Sequence, residues 1–296
     1  MRRWVSALAL TLATIVSGVA IAWAQAPTAL EIHKVDEGHF ANVPAGLVFI
    51  LAIGIDGRPN APGVVGDRGD ALHLIGVNPT FHQATILDIP RDTYVPIPGH
   101  GSDKINAAYF FGGPQLQADT VAALTGVHPS FVVVTGFDGF QAMIDAIGGV
   151  DVNVPFAMND NFSQAHFAPG VHHMVGVEAL QFSRNRHIEN GDHQRTQDQG
   201  DVIIAALSKL RADGSAAGTI RSLGALIRHT KISSGVGALD LLHLGRLALS
   251  LDPGKVRNFT MPGVDGMVGP ADVVLVAPGA AGVFADLRDD AVLQSH

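Results

Sequence analysis

The sequence predicts one α/β/α sandwich domain with a central mixed sheet, preceded by an N-terminal hydrophobic segment. Three observations carry this. Short unbroken runs of Val, Ile and Leu recur from Leu47 onward, as in strands buried on both faces. Segments with helical apolar spacing alternate with them as far as Leu287. No internal repeat or linker divides the region, and 296 residues with 47% hydrophobic content suffice for one large core.

Taken in order, Arg2 and Arg3 precede an uncharged stretch, Trp4 to Ala24, about long enough to cross a bilayer once. Ala22-Trp23-Ala24 also fits a small-x-small cleavage site. Residues 1–24 therefore read as a signal peptide or a signal anchor. Because the positive flank stays in the cytoplasm, both readings place the rest outside the cytoplasmic membrane. Residues 25–45 read as a tether or edge element and 46–290 as the folded domain. Leu47 to Ile53 is a buried strand. Arg58 to Gly69, rich in Gly and Pro, is loop. Asp70 to Val77 and Ala84 to Ile89 are the next strands. Pro114 to Thr125 is a helix that Gly126 stops. Phe131 to Val134 is a strand, and Asp138 caps a helix carrying Phe140, Met143, Ile144 and Ile147 on one face. Val150 to Val154 alternates as a strand. A helix begins near Arg195 and has its body at Asp201 to Leu210. Beyond it lie a helix at Ala238 to Leu251, strands at Val256 to Met261 and Val273 to Val276, and a last helix at Ala280 to Leu287.

Composition removes several function classes. The net charge is -8 and there are no basic runs, which argues against nucleic acid as a partner. There is no cysteine, so disulfides, thiolate metal sites and cysteine nucleophiles are excluded. His172-His173 and His187 with His193 lack zinc-motif spacing. Neither a P-loop nor a Gly-x-Ser-x-Gly elbow is present.

What remains is charge at strand ends. In open α/β sheets, ligands bind just beyond strand ends. Asp56 and Arg91 follow their strands while Asp70 begins one, so all three converge only if the Asp70 strand runs antiparallel to its neighbours. A second concentration, SRNRHIENGDHQRTQDQ at Ser183 to Gln199, carries Arg184, Arg186 and Arg195. On extended backbone Arg184 and Arg186 leave one face; on a helix Arg195 and Gln199 share one. Guanidinium suits phosphate oxygens better than ammonium does. Two carboxylates beside arginines fit Mg2+ with a phosphate ligand, since magnesium takes one or two carboxylates and fills its shell with phosphate and water. The competing interpretation is a salt-bridged surface using Glu189, Asp192 and Asp198, with Asp56 in an Asp-Gly turn.

These residues lie in blocks that together resemble the LytR-CpsA-Psr (LCP) family of bacterial cell-wall phosphotransferases. The blocks, in order, are LAIGID at Leu51 to Asp56, DRGDALHLIGVNP at Asp67 to Pro79 and LDIPRDTYVPIP at Leu87 to Pro98. Then come KINAAYFFGG at Lys104 to Gly113, AIGGVDVNVP at Ala146 to Pro155, GVEALQFSRNR at Gly176 to Arg186 and GDHQRTQDQ at Gly191 to Gln199. The resemblance implies Asp56 and Asp70 as magnesium ligands. It implies Arg68, Arg91, Arg184, Arg186, Arg195 and Gln199 as the pyrophosphate-binding and active-site set. It further implies transfer of a glycan from a polyprenyl-pyrophosphate carrier to peptidoglycan through a phosphodiester, with the prenyl tail in an apolar cleft between sheet and helices. Asp92 is a candidate base, with capping of the turn after Pro90 as its ordinary role. One position departs from the pattern: Asp198 stands where a second arginine is expected. There it would repel a pyrophosphate or hold Arg195. Two alternatives stay open, a pyrophosphatase acting on the same donor and a non-catalytic protein that binds polyprenyl-linked glycan.

Overall fold

The run VFILAIGI forms strand β2 (Val48–Ile55). Phe49, Leu51 and Ile53 are buried, while Val48, Ile50 and Ala52 between them are only half-buried. One face of this strand is therefore packed solid and the other is partly open, which is the first structural sign of the cleft. The protein is described from a computed structural model covering residues 30–35, 46–56, 67–185, 191–212, 230–233 and 235–293.

The other strands before the first helix are β1 (Leu30–Lys34), β3 (Gly69–Asn78), β4 (Gln83–Asp88), β5 (Tyr94–Ile97) and β6 (Gly101–Lys104). Helix α1 (Ala107–Thr125), β7 (Phe131–Thr135) and helix α2 (Phe137–Ala146) follow. A set of short strands comes next: β8 (Val150–Val154), β9 (Met158–Asp160), β10 (Ala165–Phe167) and β11 (Gly170–Met174). The chain continues through α3 (Gly176–Ser183), α4 (Gly191–Ala212), β12 (Thr230–Ile232) and α5 (Ala238–Ser250). It closes with β13 (Val256–Thr260), β14 (Gly263–Val268), β15 (Ala271–Val276) and α6 (Ala280–Asp290).

Among the described residues, seven strands make the central sheet in the order β12-β1-β7-β2-β3-β4-β13. It is mixed. β3 runs antiparallel to β2 and β4, while β2 with β7 and β4 with β13 are parallel. The antiparallel direction that convergence of Asp56, Asp70 and Arg91 requires is thus present. The ends of β2, β4 and β7 and the start of β3 share one edge.

On one face of the sheet, Leu51, Ile53, Leu72, Leu74, Leu87 and Val132 pack against Ala118 and Val121 of α1 and Val283, Phe284 and Leu287 of α6. On the other face, Ile144 of α2, Ala179 and Phe182 of α3 and Val202 of α4 form a second core with the small strands β8 to β11. The cleft lies between this second group and the sheet.

Several expectations are corrected. Residues 30–34 are neither tether nor edge: β1 sits between β7 and β12. α1 starts at Ala107, not Pro114, because two segments join across a kink at Gly112 (φ -148°) and Gly113 (φ 64°, ψ -154°). Asp138 lies in the first turn of α2, whose cap is Gly136; an acid there still suits the helix dipole. The strand expected at Val273 to Val276 is present as β15, which pairs with β14 in a separate hairpin. The hydrophobic stretch 4–24 lies outside the described residues, and among those described no helix is long and apolar enough to cross a membrane.

Candidate active site

A cleft of about 440 Å³ opens at the shared sheet edge and runs back between sheet and helices. Its floor is built from small side chains on the half-buried face, Ala52, Gly54 and Ala71. In the β2–β3 register Gly54 opposes Ala71 and Ala52 opposes His73. A side chain at residue 54 would bring its Cβ to 3.0 Å from that of Ala71, so the floor stays low only with glycine there. The walls are apolar: Phe140, Met143 and Ile144 from α2, Leu180 from α3, and Val202, Ile203, Ala206 and Leu210 from α4. Asp56, Asp70, Arg91, Arg184, Arg195 and Gln199 all line the same cleft. The result is an amphiphilic cavity that joins charged groups to a long greasy bay.

Local chemistry sets each charged group. Regular pairing runs from Val48–Val77 to Gly54–Ala71, after which Ile55 opposes Gly69, so Asp70 is the extra residue of a β-bulge. Strict alternation would send Asp70 into the core with Leu72. The bulge instead puts it on the face of Ala71 and His73. Arg91 follows Pro90 in a tight turn where Thr93 donates both N–H (3.0 Å) and Oγ1 (2.5 Å) to the Pro90 carbonyl. Its Nη1 donates to Asp70 Oδ1 at 2.5 Å. That charge-assisted bond ties the Arg91 turn to the bulge.

Arg184 caps the C-terminus of α3 with φ -109° and ψ -2°. Arg184 therefore does not have the extended backbone on which it and Arg186 would leave one face; Arg186 lies outside the described residues. Arg184 is instead aimed by the Phe137 ring, whose centroid is 4.7 Å from Cζ. α4 begins at Gly191, a turn before Arg195. Gln199 Nε2 donates to the Ser183 carbonyl at 3.0 Å, which locks α4 to the end of α3 beside Arg184. Arg195 is 5% exposed yet lines the cleft.

Two predicted residues stand apart. Asp92 does not line the cleft; its carboxylate accepts from Lys104 Nζ at 3.0 Å. Its backbone carbonyl accepts from Val274 N, so it fastens the turn to β15. Arg68 lies outside the cleft lining, with Nη1 3.4 Å from Asn106 Oδ1. Among the described residues no three His, Cys, Asp or Glu side chains gather to hold a metal; the carboxylates that line the cleft are those of Asp56 and Asp70.

Asp198 is fully buried and does not line the cleft. It accepts from Gln194 Nε2 at 2.8 Å. Burial pushes its carboxyl up to about 7, against the Gln194 hydrogen bond and with help from the Asp201 charge. The departure from the family pattern therefore puts no charge into the cleft.

Sequence reasoning passed over His73. It is 4% exposed, lines the cleft floor, and holds the fully buried Asp88 through Nδ1 at 2.6 Å. Burial raises Asp88 to about 6 despite that partner. The signal was present: a histidine and an aspartate each inside an otherwise apolar strand mark a buried pair.

The LytR_cpsA_psr family model matches residues 22–282. A polyisoprenyl-teichoic acid–peptidoglycan teichoic acid transferase TagU of Bacillus cereus is 40% identical over 164 residues, 55% of this chain and 52% of that protein. A probable cell wall biosynthesis protein LcpB of Corynebacterium glutamicum is 33% identical over 201 residues, 66% of this chain and 47% of that one. The chain thus spans about half the length of these relatives. Among solved structures, B. subtilis TagV matches with a TM-score of 0.70 at 25% identity, covering 86% of this chain and 100% of that one. TagT bound to LI-WTA matches at 0.65 and 25%, covering 83% and 91%. The ordered motifs, the shared fold and a family match over most of the length lead to one conclusion: this chain belongs to the LytR_cpsA_psr family.

Proposed function

We propose that this protein transfers a phosphoglycan from a polyprenyl-pyrophosphate carrier to a peptidoglycan hydroxyl, at the outer face of the bacterial cytoplasmic membrane. The observation that carries this is the joining of Asp56, Asp70, Arg91, Arg184, Arg195 and Gln199 to an apolar bay in one cleft. A prenyl pyrophosphate has the same division, an anionic head and a long hydrocarbon tail. The names of the relatives, a teichoic acid transferase and a structure with LI-WTA bound, support the same class of donor.

In this reading Arg91, Arg184 and Arg195 bind and orient the pyrophosphate, and the hydrocarbon lies over Ala52, Gly54 and Ala71. The acceptor oxygen attacks the glycan-side phosphorus. A new P–O bond forms, the bond to the bridging oxygen breaks, polyprenyl phosphate leaves, and the hydroxyl proton is released. Fixed guanidinium groups neutralise the charge that grows on the phosphoryl oxygens and the leaving group. Asp56 and Asp70 fit Mg2+, because two hard carboxylates suffice when phosphate and water complete the shell; the ion would supply further charge neutralisation. The Arg91–Asp70 bond keeps one of those carboxylates in place. Asp92, engaged with Lys104, serves this scheme by holding the Arg91 turn.

The test is purified full-length protein with Mg2+, a synthetic prenyl-pyrophosphate disaccharide and a peptidoglycan fragment, read by mass spectrometry. A phosphodiester-linked product that vanishes with EDTA and falls at least tenfold in Arg91→Ala is expected. Free sugar phosphate alone would mean a pyrophosphatase, and donor bound but unconsumed would mean a binding protein. Either result overturns the proposal.

A further inference from the structure

The sharpest departure from ordinary burial lies outside the cleft. In the first turns of α1 the small residues Ala107 and Ala108 are fully buried, while Phe110 and Phe111 remain 41% and 39% exposed. A helix that hides alanines and shows phenylalanines gives up apolar burial unless something else covers the rings. The exposure is built in. The kink at Gly112 and Gly113 ends the first segment right after the two rings. A side chain at 112 would put its Cβ 2.6 Å from that of Leu116, and Gly113 has φ 64°. Tyr109 N also donates to the Gln117 side chain at 3.1 Å, which fixes the segment across the kink.

The rings are held rather than loose. His100 stacks on Phe111 with centroids 4.7 Å apart and planes within 1°. Phe110 meets Phe111 edge-on at 5.6 Å. Arg68 Cζ lies 5.9 Å from the Phe110 centroid. The group is also fastened to the active site. Asn106, at the head of α1, accepts at its carbonyl from Gly69 N (3.3 Å) and donates its own N–H to the Arg91 carbonyl (3.2 Å). Arg68 stands two residues before Asp70, a backbone span of at most about 7 Å.

We propose that Phe110 and Phe111, flanked by His100 and Arg68, form a platform for a pyranose ring of the accepting glycan. The proposal rests on the transfer reading above and adds where the acceptor sits. A pyranose offers a face of C–H groups to an aromatic ring and keeps its hydroxyls for polar neighbours, here the Arg68 guanidinium and the His100 imidazole. The donor needs no such handle, since its pyrophosphate has the arginines and its tail has the apolar bay. The accepting sugar ring has neither a pyrophosphate nor a hydrocarbon tail, so a flat aromatic surface tied through Asn106 to the Arg91 turn and the start of β3 is what can hold it. The adjoining strand β6 reads Gly-Ser-Asp-Lys, a polar border that suits a glycan better than a lipid surface.

The probe is chitotetraose, an uncharged N-acetylhexosamine oligomer, titrated into the full-length protein by calorimetry and saturation-transfer NMR. Wild type binds, and the Phe110→Ala/Phe111→Ala pair binds at least tenfold more weakly at unchanged melting temperature. Phe111→Tyr retains binding and Phe111→Leu does not, because area survives in both and the flat ring only in the first. In the transfer reaction the double variant raises the acceptor KM at least tenfold and leaves kcat within about twofold. Equal chitotetraose binding by wild type and double variant overturns the platform, as does retained binding by Phe111→Leu. So does loss in the double variant of binding to anionic phospholipid vesicles, which marks the rings as a membrane contact. The two readings fail separately. Wild type that gains no thermal stability from farnesyl pyrophosphate and Mg2+ counts against the donor assignment, whatever the sugar does. Wild type that gains it but ignores chitotetraose overturns the platform alone.

Discussion

Replacing Asp198 with Asn tests whether this residue acts on the fold or on the ligand. Its carboxyl is fully buried, and burial pushes it from the ordinary 3.8 to about 7. A group held above its unfolded pKa binds its proton more tightly when folded. The stability it contributes is complete below about pH 4 and is lost as pH rises through about 7. Three units at about 1.4 kcal/mol each set a ceiling near 4 kcal/mol above pH 8. The titration is shared with Asp201, also raised by burial, so about 2 kcal/mol is the expected gain. Asparagine has the same shape, stays neutral, and can still accept from Gln194, which donates to Asp198 Oδ1 at 2.8 Å. Asp198→Asn should therefore raise the melting temperature by roughly 4–8 °C at pH 8 for a domain of this size and change it little at pH 4. Differential scanning fluorimetry of both proteins at the two pH values reads this directly. An equal shift at both pH values, or a loss at pH 8, refutes the buried-acid account. A tenfold gain in prenyl-pyrophosphate affinity at pH 8 refutes the placement, since it would put the carboxylate at the ligand.

Four other outcomes follow from the same geometry. Arg91→Ala and Arg184→Ala each remove a charge-assisted contact worth about 1.5–3 kcal/mol, so farnesyl pyrophosphate should bind roughly 10- to 100-fold more weakly by calorimetry; Lys should restore only part, having lost the fork geometry. Ala52→Phe raises the cleft floor, so it should abolish the thermal shift given by a long prenyl phosphate while leaving that from inorganic pyrophosphate. His73→Leu strands the fully buried Asp88, whose carboxyl already sits near 6, and should destabilise by about 3 kcal/mol in urea at pH 7 and by less at pH 4.5, where Asp88 is protonated. Alkaline phosphatase fused after residue 30 should be active and a cytoplasmic reporter silent, given Arg2 and Arg3 ahead of the apolar stretch.

How much of this was legible in the chain differs by element. β2, β3, β4 and β7 announce themselves because buried strands need unbroken apolar runs, and VFILAIGI or FVVVT has no other easy home. β6, β9 and β10 do not, since GSDK, MND and AHF are too short and polar for a pattern and exist only through their partners. The ordered motifs drew attention to Asp56, Asp70, Arg91, Arg184, Arg195 and Gln199, and these line one cleft. They could not set Arg68 and Asp92 apart from the cleft lining, because a side chain's direction depends on what it meets. Arg68 meets Asn106, and Asp92 meets Lys104.

The sequence by itself determined the fold class, the family blocks and the residue types able to hold an anion beside a cation, since these follow from local composition and order. Tertiary structure alone decided the rest. A bulge turned Asp70 from core to cleft, because register is a property of paired strands. Burial beneath α4 kept Asp198 out of the cleft, because solvation depends on neighbours far away in the chain. A kink left two phenylalanines facing water, because the segment before Gly112 is held to the one after Gly113 by the Tyr109–Gln117 bond and by a close approach to Leu116 that only glycine at 112 allows.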